Sequence, residues 1–447
     1  MIDILIRYLG IKTKLLSPIK DAIDKVTDAD KVVLDLFAGS NTVAQYLMQN
    51  YSVYTNDYQA YSYVVAKALI EFHSIEVVER LNTDTVFGSY FYKNQQALMD
   101  VLEKPLAEER TLLQDIGDVY FGSTFDKYVD FYNNSPYYAH CQDKHIAFNN
   151  CLDLFSDKTI SEYRKDFCKF PYLLFTTYYN NPYFSLQQCI DIDSIRYSLD
   201  KLLEINQITE EEHTIYLSFL IYCLNMIVIS VGDHFAQPQK IKDVTKDFSN
   251  PRDHINLRER KKIITKKRLN IKDLYAEKLH EYKKDYLPGK SNNLCFNMDF
   301  KDLLQLDILN DLDIQTVYID PPYTNAHYSR FYHIPETLVK YDYPDIEFGG
   351  RYRTDRYQSG FCIKSQAKEE FDALLQLCRR REYNAIISYS DTAQCILSIE
   401  DIKQICSKYY QENVLFENVA HMYRNFGQKP NKILAKEYII TCSVQED

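Results

Sequence analysis

An apolar run that stops at a glycine turn, followed by a second run closed by an acid, constrains this chain more than any other feature. Val32-Val33-Leu34-Asp35-Leu36-Phe37 leads into Ala38-Gly39-Ser40-Asn41, and Thr42 to Asn50 follows with Val43, Ala44 and Leu47 on one helical face. Tyr51 to Thr55 predicts a second strand ending at Asn56-Asp57, and Ser62 to Phe72 a second helix. Strand, turn, helix, strand and terminal acid together open a doubly wound α/β sheet. From about residue 75 to 290 that rhythm is absent. Aromatic, Asn-rich loops from Phe131 to Tyr138 and from Tyr178 to Phe184 alternate with helical stretches such as Leu186 to Leu203 and Thr214 to Ile229. After Pro288-Gly289 the strand grammar returns in Asn293 to Met298, Gln315 to Ile319, Ala385 to Tyr389 and Glu437 to Cys442, with a helix near Lys368 to Arg381. The expected architecture is one Rossmann-like α/β domain built from residues 1–74 and 291–447. A large, mainly helical segment at 75–290 is inserted between its second and third strands.

Charge refines this division. The whole chain carries a formal −11, yet Arg252 to Lys290 holds 13 Lys/Arg against 6 Asp/Glu, an excess of +7 that leaves −18 for the rest. Phosphate contacts need only a local positive face, so the acidic total does not exclude a nucleic-acid substrate. The eleven cysteines show no CxxC pair and no His cluster at zinc spacing, which predicts free thiols in a reducing cytoplasm and no metal. No apolar leader is expected. The most apolar stretch, Ile215 to Val231, is interrupted by Asn225 and predicts a buried helix rather than a membrane span.

The residues that carry chemistry stand at strand exits, where ligands bind in open α/β sheets. Asp320-Pro321-Pro322-Tyr323 directly follows an apolar strand. A carboxylate and a proline-fixed carbonyl at Pro321 suit an amine conjugated into a ring, because each accepts one hydrogen and draws the lone pair out of conjugation. Tyr323 offers a flat face for a base turned out of its stack. Around Gly39, small residues let a ligand approach the backbone, and Asp57 is placed to hold ribose hydroxyls. The turn lacks the G-x-G-x-x-G spacing of dinucleotide folds, which argues against NAD.

Together these motifs resemble the α-group, D12-like adenine-N6 DNA methyltransferases of the DPPY amino-methyltransferase family. The likeness rests on Tyr8-Leu9-Gly10-Ile11-Lys12-Thr13-Lys14-Leu15-Leu16, Asp35 to Val43, Asn56-Asp57 and Asp320 to Tyr323, in that order. Tyr183-Phe184-Ser185-Leu186-Gln187, Asp193-Ser194-Ile195-Arg196, Gly232 to Pro238 and Tyr328 to His333 extend it over nearly the whole chain. The resemblance implies S-adenosylmethionine as cofactor. Lys12 would hold its methionine carboxylate, Phe37 and Gly39 its floor, Asp57 its ribose, and Asp299 with Phe300 its adenine. Tyr8, Asp35, Ser40, Asn41 and Thr42 complete the expected cofactor set, and Asp320, Pro321, Pro322 and Tyr323 the catalytic one. Where relatives carry a second glycine after the serine, this chain has Asn41, the non-glycine residue that best tolerates a left-handed backbone.

Double-stranded DNA is the expected partner, together with a separate cognate restriction endonuclease. Phosphate or base contacts are expected from Arg258, Arg260, Lys261, Lys262, Lys266, Lys267 and Arg268, from Tyr328, Arg330 and His333, and from Arg351, Arg353 and Arg356 near Gly349-Gly350. A solvated helix face, an ordinary loop and core packing are the competing accounts of these groups. Two rival functions remain open to the sequence: N4-cytosine methylation, and a catalytically silent DNA-binding specificity subunit.

Overall fold

A computed structural model describes residues 6, 12–138, 141, 144–245, 250, 252–286, 292–347, 352–424 and 432–444. The expectations for Tyr8 and Arg351 fall outside those residues. Among them run nine strands: β1 (Val32–Asp35), β2 (Ser52–Asn56), β3 (Leu294–Phe296), β4 (Ile314–Ile319), β5 (Ile346–Glu347), β6 (Tyr352–Arg353), β7 (Asn384–Asp391), β8 (Val414–Arg424) and β9 (Lys432–Cys442). Seven form one sheet in the order β3-β2-β1-β4-β7-β9-β8. The chain divides into two compact units, residues 1–79, 285–331 and 357–447 against residues 80–284 and 332–356.

The first unit contains the seven-stranded sheet. Its strands from β3 to β7 run parallel, while β9 pairs antiparallel with both β7 and β8. Sequence periodicity located β1 to β4, β7 and the Glu437 to Cys442 part of β9 but gave no sign of β8, so that edge strand and the antiparallel pairing are additions to the expected sheet. One face buries Leu34, Val317, Ala385 and Ile387 against Phe371, Leu374 and Leu375 of the helix Ala367–Arg380 and Ile402 and Ile405 of the helix Ile399–Tyr410. Residues of the opposite alternation, Val33 and Ile386, are equally buried, and the helix Leu16–Asp24 packs on β7 and β9. Covering on both faces explains why these strands read as continuous apolar runs.

Parallel pairing sets the carboxyl ends level: Asp35 of β1 lies opposite Thr55 of β2 and Tyr318 of β4. Asp35 ends β1, Asp57 follows β2, Asp299 follows β3 by a short turn and Asp320 follows β4. Four neighbouring parallel strands thus deliver four carboxyl groups to one edge of the sheet.

The second unit is mainly helical. Its helices Leu186–Glu204 and Glu210–Ile227 each begin with a reciprocal capping box, Ser185 with Gln188 and Thr209 with Glu212. Asp253–Lys267 and Ile271–Lys284 follow, and β5 and β6 form a two-stranded ladder. Residues 332–356, expected to belong with the catalytic sheet, are part of this unit instead. The loop expected from Phe131 is helical as far as Asn134, because Phe125, Tyr128 and Phe131 share a buried face at helical spacing.

Candidate active site

The left-handed turn after β1 follows from its residues. Gly39 has φ +50° and Asn41 φ +61°, and Asn41 fills the second position because its short amide bonds locally: Nδ2 donates to Ser62 O at 3.2 Å. Ser62 Oγ donates to Gly39 O at 2.7 Å, and the Gly39 N–H donates to Asp57 Oδ2 at 2.9 Å. The turn, the helix Ala60–Ala66 and the acid after β2 are therefore one hydrogen-bonded piece.

That piece borders a cavity of about 1000 Å³, part of it open to solvent. Of the expected cofactor residues, Lys12, Asp35, Phe37, Gly39, Ser40, Thr42, Asp57, Asp299 and Phe300 line it, as do Asp320, Pro322, Tyr323 and Tyr328. Asn41 and Pro321 are buried beside these residues in the chain and are not among those that line it. Phe37, Phe300 and Phe361 make an aromatic cluster with ring centroids 5.4–5.7 Å apart.

Electrostatics single out one corner. Lys12 Nζ lies 2.6 Å from Glu437 Oε1 and 3.2 Å from Asp320 Oδ1, and 5.5 Å from the Tyr323 ring centroid. The shorter pair is an aligned hydrogen bond; the approach to Asp320 is an ion pair without that alignment. Burial alone would lower the Lys12 pKa, but Asp320, Tyr323, Glu437 and Tyr318 hold it well above the usual lysine range. Burial pushes the Asp320 carboxyl up to about 6; Lys12 pulls it down and Glu437 adds to the rise. Asp35 is raised well above its ordinary range by burial and by Asp320 and Asp57, and its Oδ1 has no hydrogen-bond partner among the described residues. Lys12, expected to meet a ligand carboxylate, is engaged instead by two carboxylates of the chain itself.

Sequence reasoning missed several wall residues. Tyr357 donates to Asp299 Oδ2 at 2.9 Å and stacks on Tyr58 with centroids 3.8 Å apart. Both rings line the cavity, with Gln59 and His327. Tyr357 follows the arginine-rich loop and carries no motif; Tyr58 adjoins Asp57, which was the available clue.

The expected DNA contacts divide sharply. Arg258, Lys261, Lys262, Arg268 and Arg330 are exposed. Three others are corrected: Arg260, Lys267 and Arg353 are buried and bonded within the second unit. Arg260 reaches Lys242 O and Tyr120 O, and Lys267 Nζ donates to Asn181 and Phe184. Arg353 forks onto Asp342 and Asp355. A buried cation must be paired, so these side chains brace loops rather than meet phosphate. Lys266 Nζ donates to Val228 O at 2.6 Å, and Arg356 reaches Glu347. His333 is buried in the second unit with Nε2 2.9 Å from Phe235 O. Among the described residues no cluster of His, Cys, Asp or Glu suits a metal, and no helix is long and apolar enough to cross a membrane.

Comparison with known proteins identifies the relatives. The family of D12 class N6 adenine-specific DNA methyltransferases matches residues 8–405. Modification methylase LlaI of Lactococcus lactis subsp. lactis is 25% identical over 426 residues, covering 94% of this chain and 51% of the relative. Modification methylase StsI of Streptococcus sanguinis is 25% identical, covering 92% and 47%, and Type II methyltransferase M.FokI of Planomicrobium okeanokoites is 23% identical, covering 90% and 47%. The chain spans about half the length of the curated relatives it matches.

Proposed function

Because the chain belongs to the D12 class N6 adenine-specific DNA methyltransferases, we propose that it transfers a methyl group from S-adenosylmethionine to N6 of adenine in duplex DNA. The single observation that carries this reading is the convergence of Asp35, Asp57, Asp299 and Asp320, from four adjacent strand ends, on one cavity that also holds Phe37 and Tyr323.

The residues present fit the cofactor. Four carboxyl groups line the cavity and offer acceptors to a ligand's ammonium and hydroxyl groups, while the Lys12 ammonium in the same wall is already paired. Asp35 Oδ1, buried and without a partner, offers an acceptor to an ammonium group. Asp57, Phe37 and Phe300 supply an acceptor for hydroxyls and apolar faces for a purine. S-adenosylmethionine, when bound, supplies a methyl group already activated on a sulfonium sulfur.

The protein's own work is alignment and charge. Asp320 accepts one hydrogen of the target amine and the Pro321 carbonyl the other, freeing the nitrogen lone pair toward the methyl carbon. The N6 nitrogen gains the methyl and gives up one proton, for which the Asp320 carboxylate is the acceptor at hand. Tyr323 presents its ring to the flipped base; turning the base out costs a few kcal/mol, offset by stacking and these hydrogen bonds.

The second unit is proposed to read the target sequence, using exposed cations such as Arg258, Lys261 and Lys262 for phosphate contact. The names of the relatives, modification methylases, support a place in a restriction-modification system; action on cytoplasmic DNA and a separate cognate endonuclease are proposed with it. The test is to incubate the protein with S-adenosylmethionine and duplex DNA and identify the modified nucleoside. N6-methyladenine supports the reading, N4-methylcytosine transfers it to the other amine, and absence of both with intact cofactor binding overturns it.

A further inference from the structure

We propose that Glu437 is a positioning residue of the methyl-transfer centre, fastening the Lys12 ammonium beside Asp320. The inference rests on the reading of Asp320 as acceptor for the target amine. Glu437 lies in β9, beyond residue 405 where the family match ends. It is absent from the cavity wall that includes Lys12, Asp320 and Tyr323, so it acts through Lys12 and not on a ligand.

The geometry is specific. Glu437 is fully buried between β7 and β8, and its Oε1 accepts both from Lys12 Nζ at 2.6 Å and from Ser388 Oγ at 3.2 Å. Its Oε2 has no hydrogen-bond partner among the described residues. Enclosing a carboxylate in a sheet is costly, and an apolar residue of similar volume often serves stability as well or better. What Glu437 achieves is orientation. The long Lys12 side chain has many rotamers, and two fixed oxygens of the chain, one from β9 and one from the exit of β4, select the one that leaves Lys12 beside the acceptor carboxylate.

The groups that face Asp320 are Lys12, Glu437 from β9, Asp35 from β1 and Tyr318 on its own strand; Tyr323 faces Lys12, and Asp57 adjoins Asp35. Lys12 favours the ionised Asp320, and Glu437 opposes it by like charge while holding Lys12 in place. Replacing Glu437 by Gln removes the opposing charge but keeps an oxygen for Lys12. Replacing it by Ala removes the anchor.

The experiment uses the full chain with S-adenosylmethionine and an adenine-containing duplex, plus an infrared titration of the Asp320 carboxyl without ligands, assigned by difference against Asp320→Asn. In Glu437→Gln, the infrared midpoint and the acid limb of kcat both move to lower pH. In Glu437→Ala, kcat falls about tenfold or more with little change in KM for the duplex, as expected of a misplaced group, and Glu437→Asp recovers part of it. Thermal melting verifies that each variant is folded. An Asp320 titration unmoved in Glu437→Gln, or undiminished kcat in Glu437→Ala, overturns the proposal. If the wild-type protein methylates no adenine while the infrared midpoint still moves, the functional reading fails and the linkage through Lys12 stands.

Discussion

The Gly39 N–H donates to Asp57 Oδ2 at 2.9 Å, joining the left-handed turn after β1 to the acid that follows β2. The same carboxylate accepts from the Gln59 N–H through Oδ1 at 2.9 Å. Asp57 is thus oriented by backbone on both oxygens before any ligand arrives, and that order depends on the turn keeping its shape.

Asn41 is the point at which the turn is most exposed to substitution. Asn41→Gly keeps the left-handed backbone and loses the bond to Ser62 O, so stability should change by about 1 kcal/mol or less. Asn41→Val adds strain of ~1–2 kcal/mol to the same loss. Thermal melting, and calorimetric titration with S-adenosylhomocysteine, should rank wild type and Gly together and Val well below both.

Asp320 should control the rate through its charge. Its carboxyl, raised to about 6 by burial, must be ionised to accept a hydrogen from the amine. Methyl transfer is therefore present above that value and lost as pH falls through it, and single-turnover rates across pH should show an acid limb there. Asp320→Ala should slow transfer by roughly 10²–10³-fold while S-adenosylhomocysteine still binds. A flat profile would separate Asp320 from the rate-limiting step.

Stability should move the opposite way in the same window. Burial raises Asp191, Asp193 and Asp320 each to about 6 in the folded protein. An unfolded chain releases those protons only near the ordinary carboxylate value of about 4, so between the two values the folded state binds more protons. Lowering pH from neutral to about 5 should raise the melting temperature while activity falls. A melting temperature that declines steadily over this interval would contradict the assigned burial.

Asp193 should be the most damaging single truncation in the second unit. Its two oxygens accept from the Phe175 and Thr176 N–H groups at 2.8 Å and from the Tyr341 hydroxyl at 2.6 Å. Asp193→Ala leaves three donors without an acceptor in a site closed to water, a loss of ~3–5 kcal/mol. Urea denaturation should register it, and limited proteolysis should show cleavage within residues 80–284.

How much of this was legible in the sequence depends on the range over which each feature is encoded. Asp35, Asp57, Asp299 and Asp320 could be read because each closes a short apolar run, and parallel pairing then brings such ends together without further information. Asn41 was legible as a substitute for glycine because left-handed tolerance is a property of the residue itself. Glu437 was not: an acid at the start of an apolar strand looks like a solvated edge, and only pairing with Lys12, from the other end of the chain, makes it a buried group. Arg260, Lys267 and Arg353 were misread for the same reason in reverse. Each sits in a charged stretch that periodicity assigns to solvent, while its partners are carbonyls or carboxylates that no local pattern reveals. Local rules also placed residues 332–356 with the sheet, since membership of a unit is decided by packing rather than by adjacency in the chain.

The position of β9 between β7 and β8 has a consequence for how the protein is made. Lys12 and the turn at Gly39 leave the ribosome early, but the strand that carries Glu437 emerges only after the whole helical unit, a delay on the order of tens of seconds at ordinary translation rates. Lys12 lacks both counter-ions until Asp320 emerges and one of them until Glu437 does, and β7, once made, keeps an unpaired edge until β9 follows it. A nascent chain therefore carries an exposed template for strand addition and an unfinished charge cluster. Ribosome-bound intermediates should be the stage at which this protein is most prone to misassembly.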